Sequence, residues 1–159
     1  MRVLGIDPGN YITGYGIIEK QKNHLQHITH GEIKLARTSS HSSCLTTIYH
    51  HLLEIIDKSV PDVFAIEDIF YGKNVKSLIR QAEVRGIAIL AASQRNLPVY
   101  EYTPLQVKKA VVGYGRAEKS QVQKMIKAIL NLSQVPSADA ADALAVAICH
   151  ANHSIKVST

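Results

Sequence analysis

The sequence predicts an α/β fold built on a mixed sheet, and three observations support this prediction. Val3–Gly9 is an apolar strand of the kind that lies inside a sheet covered on both faces. The first three strand-like segments follow one another through short polar connections, which is typical of an antiparallel meander. Farther along, helix-like and strand-like segments alternate, so the sheet can continue with parallel strands. With 159 residues and 46% apolar composition, residues 1–159 are expected to form one domain.

The opening strand ends on a carboxylate. Asp7 is followed by Pro8, which cannot donate to a ladder, and by Gly9, which lets a ligand approach the backbone. Such a strand also opens sugar kinases and chaperone-type ATPases, and an aspartate bonded to turn amides is the commonest interpretation. Asp7 alone therefore leaves its role undecided. Ile12–Glu19 and Leu25–Leu35 are predicted as the second and third strands.

Histidines recur at a spacing of three in or beside the third strand, at His24, His27 and His30. Successive side chains of a strand point to opposite faces, so this spacing sends neighbouring histidines to opposite faces. We therefore expect them on the surface and not as ligands of one metal.

The next segments repeat the design of the opening strand. Apolar residues at helical spacing over 45–56 predict a helix, and residues 60–67 are again an apolar run that ends on a carboxylate. If that strand lies parallel beside the first, Glu67 and Asp7 emerge at the same end of the sheet. The alternative is that Glu67 merely begins a polar loop. A helix with an apolar face over residues 75–90 follows.

The remaining chain is predicted to hold one strand and three helices. They are a strand over Leu97–Tyr102, a short helix from Thr103-Pro104, a helix over Glu118–Leu130 after the basic loop Gly113–Arg116, and a last helix from Pro136-Ser137. Asp139 and Asp142 lie at the head of this otherwise apolar last helix, ~60° apart around its axis. The positive end of a helix explains one acid more readily than two, because burying unpaired carboxylates is costly.

The acids at these strand ends and at this helix start define a candidate chemistry. If Asp7, Glu67, Asp139 and Asp142 met, they would repel and take up protons unless a cation neutralised them. Carboxylate ligands without cysteine favour Mg²⁺, with Mn²⁺ as a substitute, over Zn²⁺. Two such ions ~3.5 to 4 Å apart are a common arrangement for in-line displacement at a phosphodiester. Such a metal site together with a basic surface predicts a metal-dependent nuclease.

The basic residues are concentrated in one part of the chain. The net charge is +5, and Thr103–Asn131 holds six basic residues against one acid, so the excess lies there. A local excess favours a polyanionic partner, nucleic acid first, although a solvated lysine-rich helix face competes with this interpretation. Lys119, Gln123 and Lys127 recur every four residues, as in a row along a phosphate backbone.

Two aromatic side chains, Phe70 and Tyr71, lie in the loop Asp68–Asn74 that follows Glu67. Aromatic residues in a loop are either tucked into the core or held out to stack on bases. From the residues alone, burial is slightly favoured over stacking.

Several classes of protein are excluded. No apolar run approaches the ~18 residues of a membrane span, and the first strand begins at once, leaving no room for a signal peptide. Cys44 and Cys149 make no disulfide framework. We therefore expect a cytoplasmic protein without a membrane segment. The ATPase alternative needs two domains that close on a nucleotide, and the chain is too short to supply them.

Taken as a set, the motifs resemble the RuvC family of bacterial Holliday-junction resolvases. The match runs in order from Arg2 to about His150 and comprises Leu4–Gly9, Gly14–Gly16, Ile66–Glu67, Gln106–Gly113, Ala117–Val122 and Asp139–Ala145. The resemblance implies an RNase H-like (retroviral-integrase-type) fold, with a five-stranded mixed sheet and helices on both faces. It further implies a homodimer that resolves four-way junctions by symmetric paired nicks in recombination and repair, leaving 5′-phosphate and 3′-hydroxyl ends. The implied partner is the RuvAB branch-migration complex.

The resemblance also assigns residues. It places the family's acidic positions on the four acids above, with Asp139 where some members have histidine. The junction-contacting aromatic falls on Phe70, which reverses the preference for burial, and the basic positions fall on Lys108 and Lys119. Further DNA contacts are expected from Tyr71, Lys73, Lys109, Arg116 and Lys127. A non-catalytic junction-binding protein would keep the lysines but has no use for four acids. No apolar stripe is distinguishable from core packing as the subunit interface.

Overall fold

The structure is a computed structural model that describes residues 1–69, 71–72 and 74–153. Within these residues the sheet has five strands, namely β1 (Arg2–Asp7), β2 (Ile12–Gln21), β3 (His24–Lys34), β4 (Val63–Glu67) and β5 (Val99–Tyr102), in the order β3-β2-β1-β4-β5. The first three strands form the predicted antiparallel meander. β4 pairs in parallel with β1, and β5 pairs in parallel with β4. The mixed sheet predicted from the sequence is confirmed.

Helices cover both faces of the sheet. In the described part of the chain they are α1 (His41–Ser59), α2 (Val75–Gln94), α3 (Pro104–Val112), α4 (Lys119–Ile129) and α5 (Ala138–His153). The first two lie on one face of the sheet and the other three on the opposite face. Side-chain oxygens of Ser40, Asn74 and Thr103 accept hydrogen bonds from the first turns of α1, α2 and α3, which fixes where these helices begin. No helix among these residues is long and apolar enough to cross a membrane.

The alternation of side chains along β1 builds two separate cores. Leu4 and Ile6 face α1 and α2, where they pack with Leu52 of α1. Val3 faces the other way and belongs to the core that α5 fills, together with Leu144. Because both faces of β1 are covered, the strand is apolar between its ends, and its charged residues, Arg2 and Asp7, lie at the two ends.

Helix α5 lies directly on β1 and β2 because glycines face it. Gly5 packs against the backbone of Ala143, and a Cβ atom at Gly14 would overlap the main-chain oxygen of Asp139. After the first turns of α5, every residue from Ala143 to Ala151 is buried. The close approach fixes the start of α5, and with it Asp139, against the two strands.

The apolar face of α2 that the sequence pattern identifies is not the face that packs on the sheet. The residues of α2 that are buried are Val84, Ala88, Ala91 and Ala92. On the other side, the exposed fractions of Val75, Ile79 and Leu90 are 65%, 53% and 45%. Helix α2 is therefore apolar on two faces, one covered by the sheet and one open in the single chain.

One prediction about the third strand is wrong. The pairing of β2 with β3 shifts between Ile17 and Ile18, where Ile28 of β3 is the extra residue of a bulge. The bulge changes the alternation of side chains, so His27 Nε2 and His30 Nδ1 meet at 2.8 Å instead of pointing to opposite faces. The expected surface position holds in part, since both rings are half-buried.

Candidate active site

Two of the four acids end neighbouring parallel strands. Asp7 is the last residue of β1, Glu67 is the last residue of β4, and the residues just before them, Ile6 and Ile66, are partners in the ladder. The two carboxyl groups consequently lie side by side and share a hydrogen bond. The prediction that these acids emerge at one end of the sheet is confirmed, whereas a functional role for Glu67 stays a prediction.

The other two acids come from the first turns of α5. Gly14 of β2 is the ladder partner of Asp7, and the backbone of Asp139 rests on Gly14. Asp139 therefore starts its helix one strand away from Asp7. Asp142, three residues on, keeps part of its surface open to solvent, as do the other three acids, so a ligand can reach all of them.

The pKa values reflect this convergence. Burial raises the pKa of the Asp7 carboxyl to about 8, and the charges of Glu67, Asp142 and Asp139 act in the same direction. Burial, followed by the charge of Asp142, raises the pKa of Glu67 to about 7. The pKa of Asp142 is also raised, again by burial and then by Asp139. The four acids therefore form one electrostatic cluster.

Two lysines lie close enough to oppose this effect. Lys119, the first residue of α4, lowers the pKa values of Asp7, Glu67 and Asp142. Lys108 of α3 lowers the pKa values of Glu67 and Asp142. Since α3 and α4 both pack against α5, the basic segment found in the sequence borders the acid cluster.

The donor set of the cluster fits a hard divalent cation. The described residues contain no three acidic, histidine or cysteine side chains already spaced as metal ligands, and Asp7 and Glu67 are hydrogen bonded to each other. Burial and the neighbouring acids raise the pKa values of both groups, although Lys119 acts in the opposite direction, so full ionisation of the pair is unfavourable without a further positive charge. A cation between carboxylate oxygens would displace the shared proton and supply this charge.

A sequence model of the family described as crossover junction endodeoxyribonuclease RuvC matches residues 3–150. The chain belongs to the RuvC family. Family membership covers both strand ends, the basic segment and the acid-bearing helix, so it confirms the resemblance found in the motifs. RuvC proteins are metal-dependent nucleases, which agrees with the donor set described above.

Individual RuvC proteins are similar to this chain over nearly its full length. The RuvC of Geotalea uraniireducens (strain Rf4) is 51% identical over 155 residues, which are 98% of this chain and 91% of that protein. The Thermus thermophilus RuvC structure has a TM-score of 0.88 at 30% identity and covers 99% of this chain and 97% of that one. T. thermophilus RuvC in complex with Holliday junction substrate has a TM-score of 0.89 at 27% identity, with coverages of 98% and 96%. The predicted RNase H-like fold is confirmed.

The predicted DNA contacts of this RuvC chain have different outcomes. Phe70 and Lys73 lie outside the described residues. Tyr71 follows the end of β4 with 89% of its surface exposed. Lys109 and Arg116 are exposed on α3 and in the loop after it, and Lys127 is half-buried on α4. These positions remain predictions, whereas Lys108 and Lys119 lie beside the acids.

Sequence reasoning missed the polar residues that hold the loops next to the acids. Gln81 Nε2 donates to the carbonyl of Pro8, the residue after Asp7, at 3.1 Å. Arg85 Nε donates to the carbonyl of Glu67 at 3.4 Å. Both residues lie on α2, four positions apart in the sequence, but their partners are at distant strand ends, so no local signal would have found them.

Proposed function

We propose that this chain cleaves four-way junction DNA by hydrolysing phosphodiester bonds with divalent cations held by Asp7, Glu67, Asp139 and Asp142. Mg²⁺ is the proposed cation, Mn²⁺ its substitute, and two ions the proposed number per site. The observation that carries the proposal is the convergence of four acids around the buried Asp7–Glu67 pair, whose pKa values are raised to about 8 and about 7 by burial first and by neighbouring acids second. When bound, such ions activate water and stabilise the leaving oxygen of a phosphodiester.

The acids have a second task, which is to hold or release protons. Near neutral pH, the raised pKa values keep a proton on the Asp7–Glu67 pair. Cation binding competes with that proton, so loading of the site is expected to improve as pH rises toward about 8. The backbone of Asp139 packs directly on Gly14, which supports a fixed position for this proposed ligand, whereas the Asp7–Glu67 pair exchanges a proton for the cation.

Lys108 and Lys119 are proposed to hold the phosphate backbone at the acid cluster. Their positive charges already act on the carboxylates, so a phosphate that joins the site is attracted by the same side chains. Contacts of this kind position DNA without reading its sequence. Phe70 and Tyr71 are proposed to stack on bases of the junction, with Lys73, Lys109, Arg116 and Lys127 as further backbone contacts.

A homodimer is proposed because paired nicks on opposed strands require two active sites. The open apolar face of α2, which includes Val75, Ile79 and Leu90, supports this assembly. A twofold axis that brings the same face of two copies together would relate the two acid clusters by symmetry. We further propose that residues 1–159 act as one nuclease domain in the cytoplasm with the RuvAB branch-migration complex, leaving 5′-phosphate and 3′-hydroxyl ends.

Cleavage of a synthetic mobile four-way junction and of a linear duplex, each with and without Mg²⁺, tests the proposal. We expect cleavage of the junction alone, and only with the cation. Asp7→Asn is expected to abolish cleavage while leaving junction binding intact. Glu54→Gln, at an exposed acid of α1, is the matched control and is expected to cleave normally. Retained cleavage by Asp7→Asn would refute the metal site.

A further inference from the structure

A row of polar side chains on α2 faces the ends of the two acid-bearing strands. Ser77, Gln81 and Arg85 are spaced four residues apart, so they lie on one side of the helix. All three are half-buried, and they lie toward the side of α2 that carries the buried residues Val84 and Ala88, away from the open apolar face. Each makes a hydrogen bond to a residue that follows or ends an acid-bearing strand.

At the end of β1, two bonds hold the turn after Asp7. Gln81 Nε2 donates to the carbonyl oxygen of Pro8 at 3.1 Å. Asn10 Nδ2 donates to Ser77 Oγ at 2.6 Å. Because Pro8 directly follows Asp7, the position of this turn determines the direction in which the carboxylate leaves the strand.

At the end of β4, the guanidinium of Arg85 bridges three groups. It donates to the carbonyl oxygen of Glu67, forms an ion pair with Glu101 of β5, and lies 3.6 Å from the carboxylate of Asp68. The Arg85 side chain is only 15% exposed, whereas the carboxylates of Asp68 and Glu101 are about half open to solvent. The backbone N–H of Asp68 donates in turn to the carbonyl of Tyr102 at 2.8 Å, which ties the same turn to β5.

We propose that Gln81 and Arg85, with Ser77, are positioning residues that fix Asp7 and Glu67 relative to each other from a single helix. This inference rests on the proposed metal role of the two acids. Neither residue touches the carboxylates; each holds the backbone next to one of them. Because the opposite side of α2 is the open apolar face, packing of a second copy there would act on the same helix that sets both strand ends.

The expected effect is on cation affinity and turnover, not on DNA binding. Catalytic ligands must be held within roughly 0.5 Å of the productive geometry. Loss of a residue that orients a ligand typically lowers metal affinity or activity about 10- to 100-fold. Gln81 and Arg85 act through the backbone, so we expect the lower end, about 10-fold.

The test measures single-turnover cleavage of a saturating four-way junction across Mg²⁺ concentrations for Arg85→Gln, Arg85→Lys and Gln81→Ala. We expect each variant to need several-fold more Mg²⁺ for half-maximal cleavage and to bind the junction normally in EDTA. Arg85→Lys is expected to recover little, because one ammonium cannot reach both the Glu67 carbonyl and the Glu101 carboxylate. It also keeps the charge, so it remains informative if Arg85→Gln folds poorly.

Arg95→Gln is the matched control. Arg95 follows α2, and its Nε lies 2.6 Å from Asp57 Oδ1 of α1, so the variant also breaks an arginine ion pair of this helix, away from the acids. We expect its Mg²⁺ dependence to equal that of the unmodified protein. The inference is overturned if the Arg85 and Gln81 variants behave like Arg95→Gln while Glu67→Gln is inactive. Normal cleavage by Glu67→Gln would instead overturn the proposed role of that acid.

Discussion

Without metal, the protein is expected to lose stability as the pH rises from about 4 to about 8. The cause is Asp7, whose carboxyl pKa is raised from 3.8 to about 8, mainly by burial. Between those two values the unfolded chain releases the proton of Asp7 while the folded protein keeps it. Raising the pH therefore favours the unfolded chain, and the effect is complete once the pH exceeds the folded value.

The size of this effect follows from the same pKa values. Each pKa unit corresponds to about 1.4 kcal/mol, so the rise at Asp7 amounts to a difference on the order of 5 kcal/mol in the free energy of unfolding. We count Asp7 alone, because it shares a hydrogen bond with Glu67 and the two groups titrate as a pair. A typical domain is stable by about 5 to 15 kcal/mol, so the loss would be easy to measure.

Urea unfolding in EDTA, followed by far-ultraviolet circular dichroism across this pH range, is the assay. Asp7→Asn removes the titrating group and is expected to flatten the pH dependence. Added Mg²⁺ is expected to restore stability at the alkaline end, because it binds the folded state. Asp57→Asn is the control: Arg95 lowers the pKa of Asp57, so its contribution is lost only in acid. Equal pH dependence in the unmodified protein and in Asp7→Asn would refute the reasoning.

Three further changes test other parts of the structure. Gly14→Ala is expected to destabilise the protein by about 1 to 3 kcal/mol in urea unfolding, because the new Cβ overlaps the backbone of the first turn of α5. Lys119→Ala is expected to weaken junction binding and to reduce the slope of log affinity against log salt by about one, measured by fluorescence anisotropy. Ile79→Lys is expected to shift the proposed dimer toward monomer in sedimentation, because it places a charge on the open apolar face of α2.

Each of these changes has a control at a comparable position. Gly72→Ala adds a Cβ where no atom lies within 4 Å and is expected to leave stability unchanged. Lys124→Ala removes an exposed lysine from the same helix as Lys119, and an equal fall in the salt slope would argue against a specific contact at Lys119. Val135→Lys charges an apolar residue that is exposed away from α2, and dissociation by this variant would contradict the proposed interface.

The sequence predicted the sheet and the acids because both follow from local patterns. Apolar runs that end on Asp7 and Glu67 are visible in a few neighbouring residues, and the helix between them allows parallel pairing. Asp139 and Asp142 stand out because they interrupt an apolar helix. The four acids converge because of the order of the strands in the sheet. Short connections between successive elements leave few possible strand orders.

The features that the sequence did not predict depend on contacts between distant residues. Periodicity identified an apolar face on α2, but a helix that is apolar on two sides does not reveal which side meets the sheet. The bulge at Ile28 depends on pairing with β2, so the meeting of His27 and His30 could not be read from their spacing. The contacts of Arg85 join α2 to β4 and β5, and the residues next to Arg85 in the sequence do not predict these contacts.

The burial of α5 on nearly all sides has a consequence for motion at the active site. A helix enclosed by a sheet and two other helices exchanges its amide hydrogens only when the whole domain opens. The proposed metal ligands Asp139 and Asp142 lie in the first turns of this slowly exchanging helix. The strand-end loops beside Asp7 and Glu67 are more exposed and exchange sooner. The helix that carries Asp139 and Asp142 is thus expected to exchange at the same rate with and without the cation. Cation binding is expected to slow hydrogen exchange only in the strand-end loops beside Asp7 and Glu67.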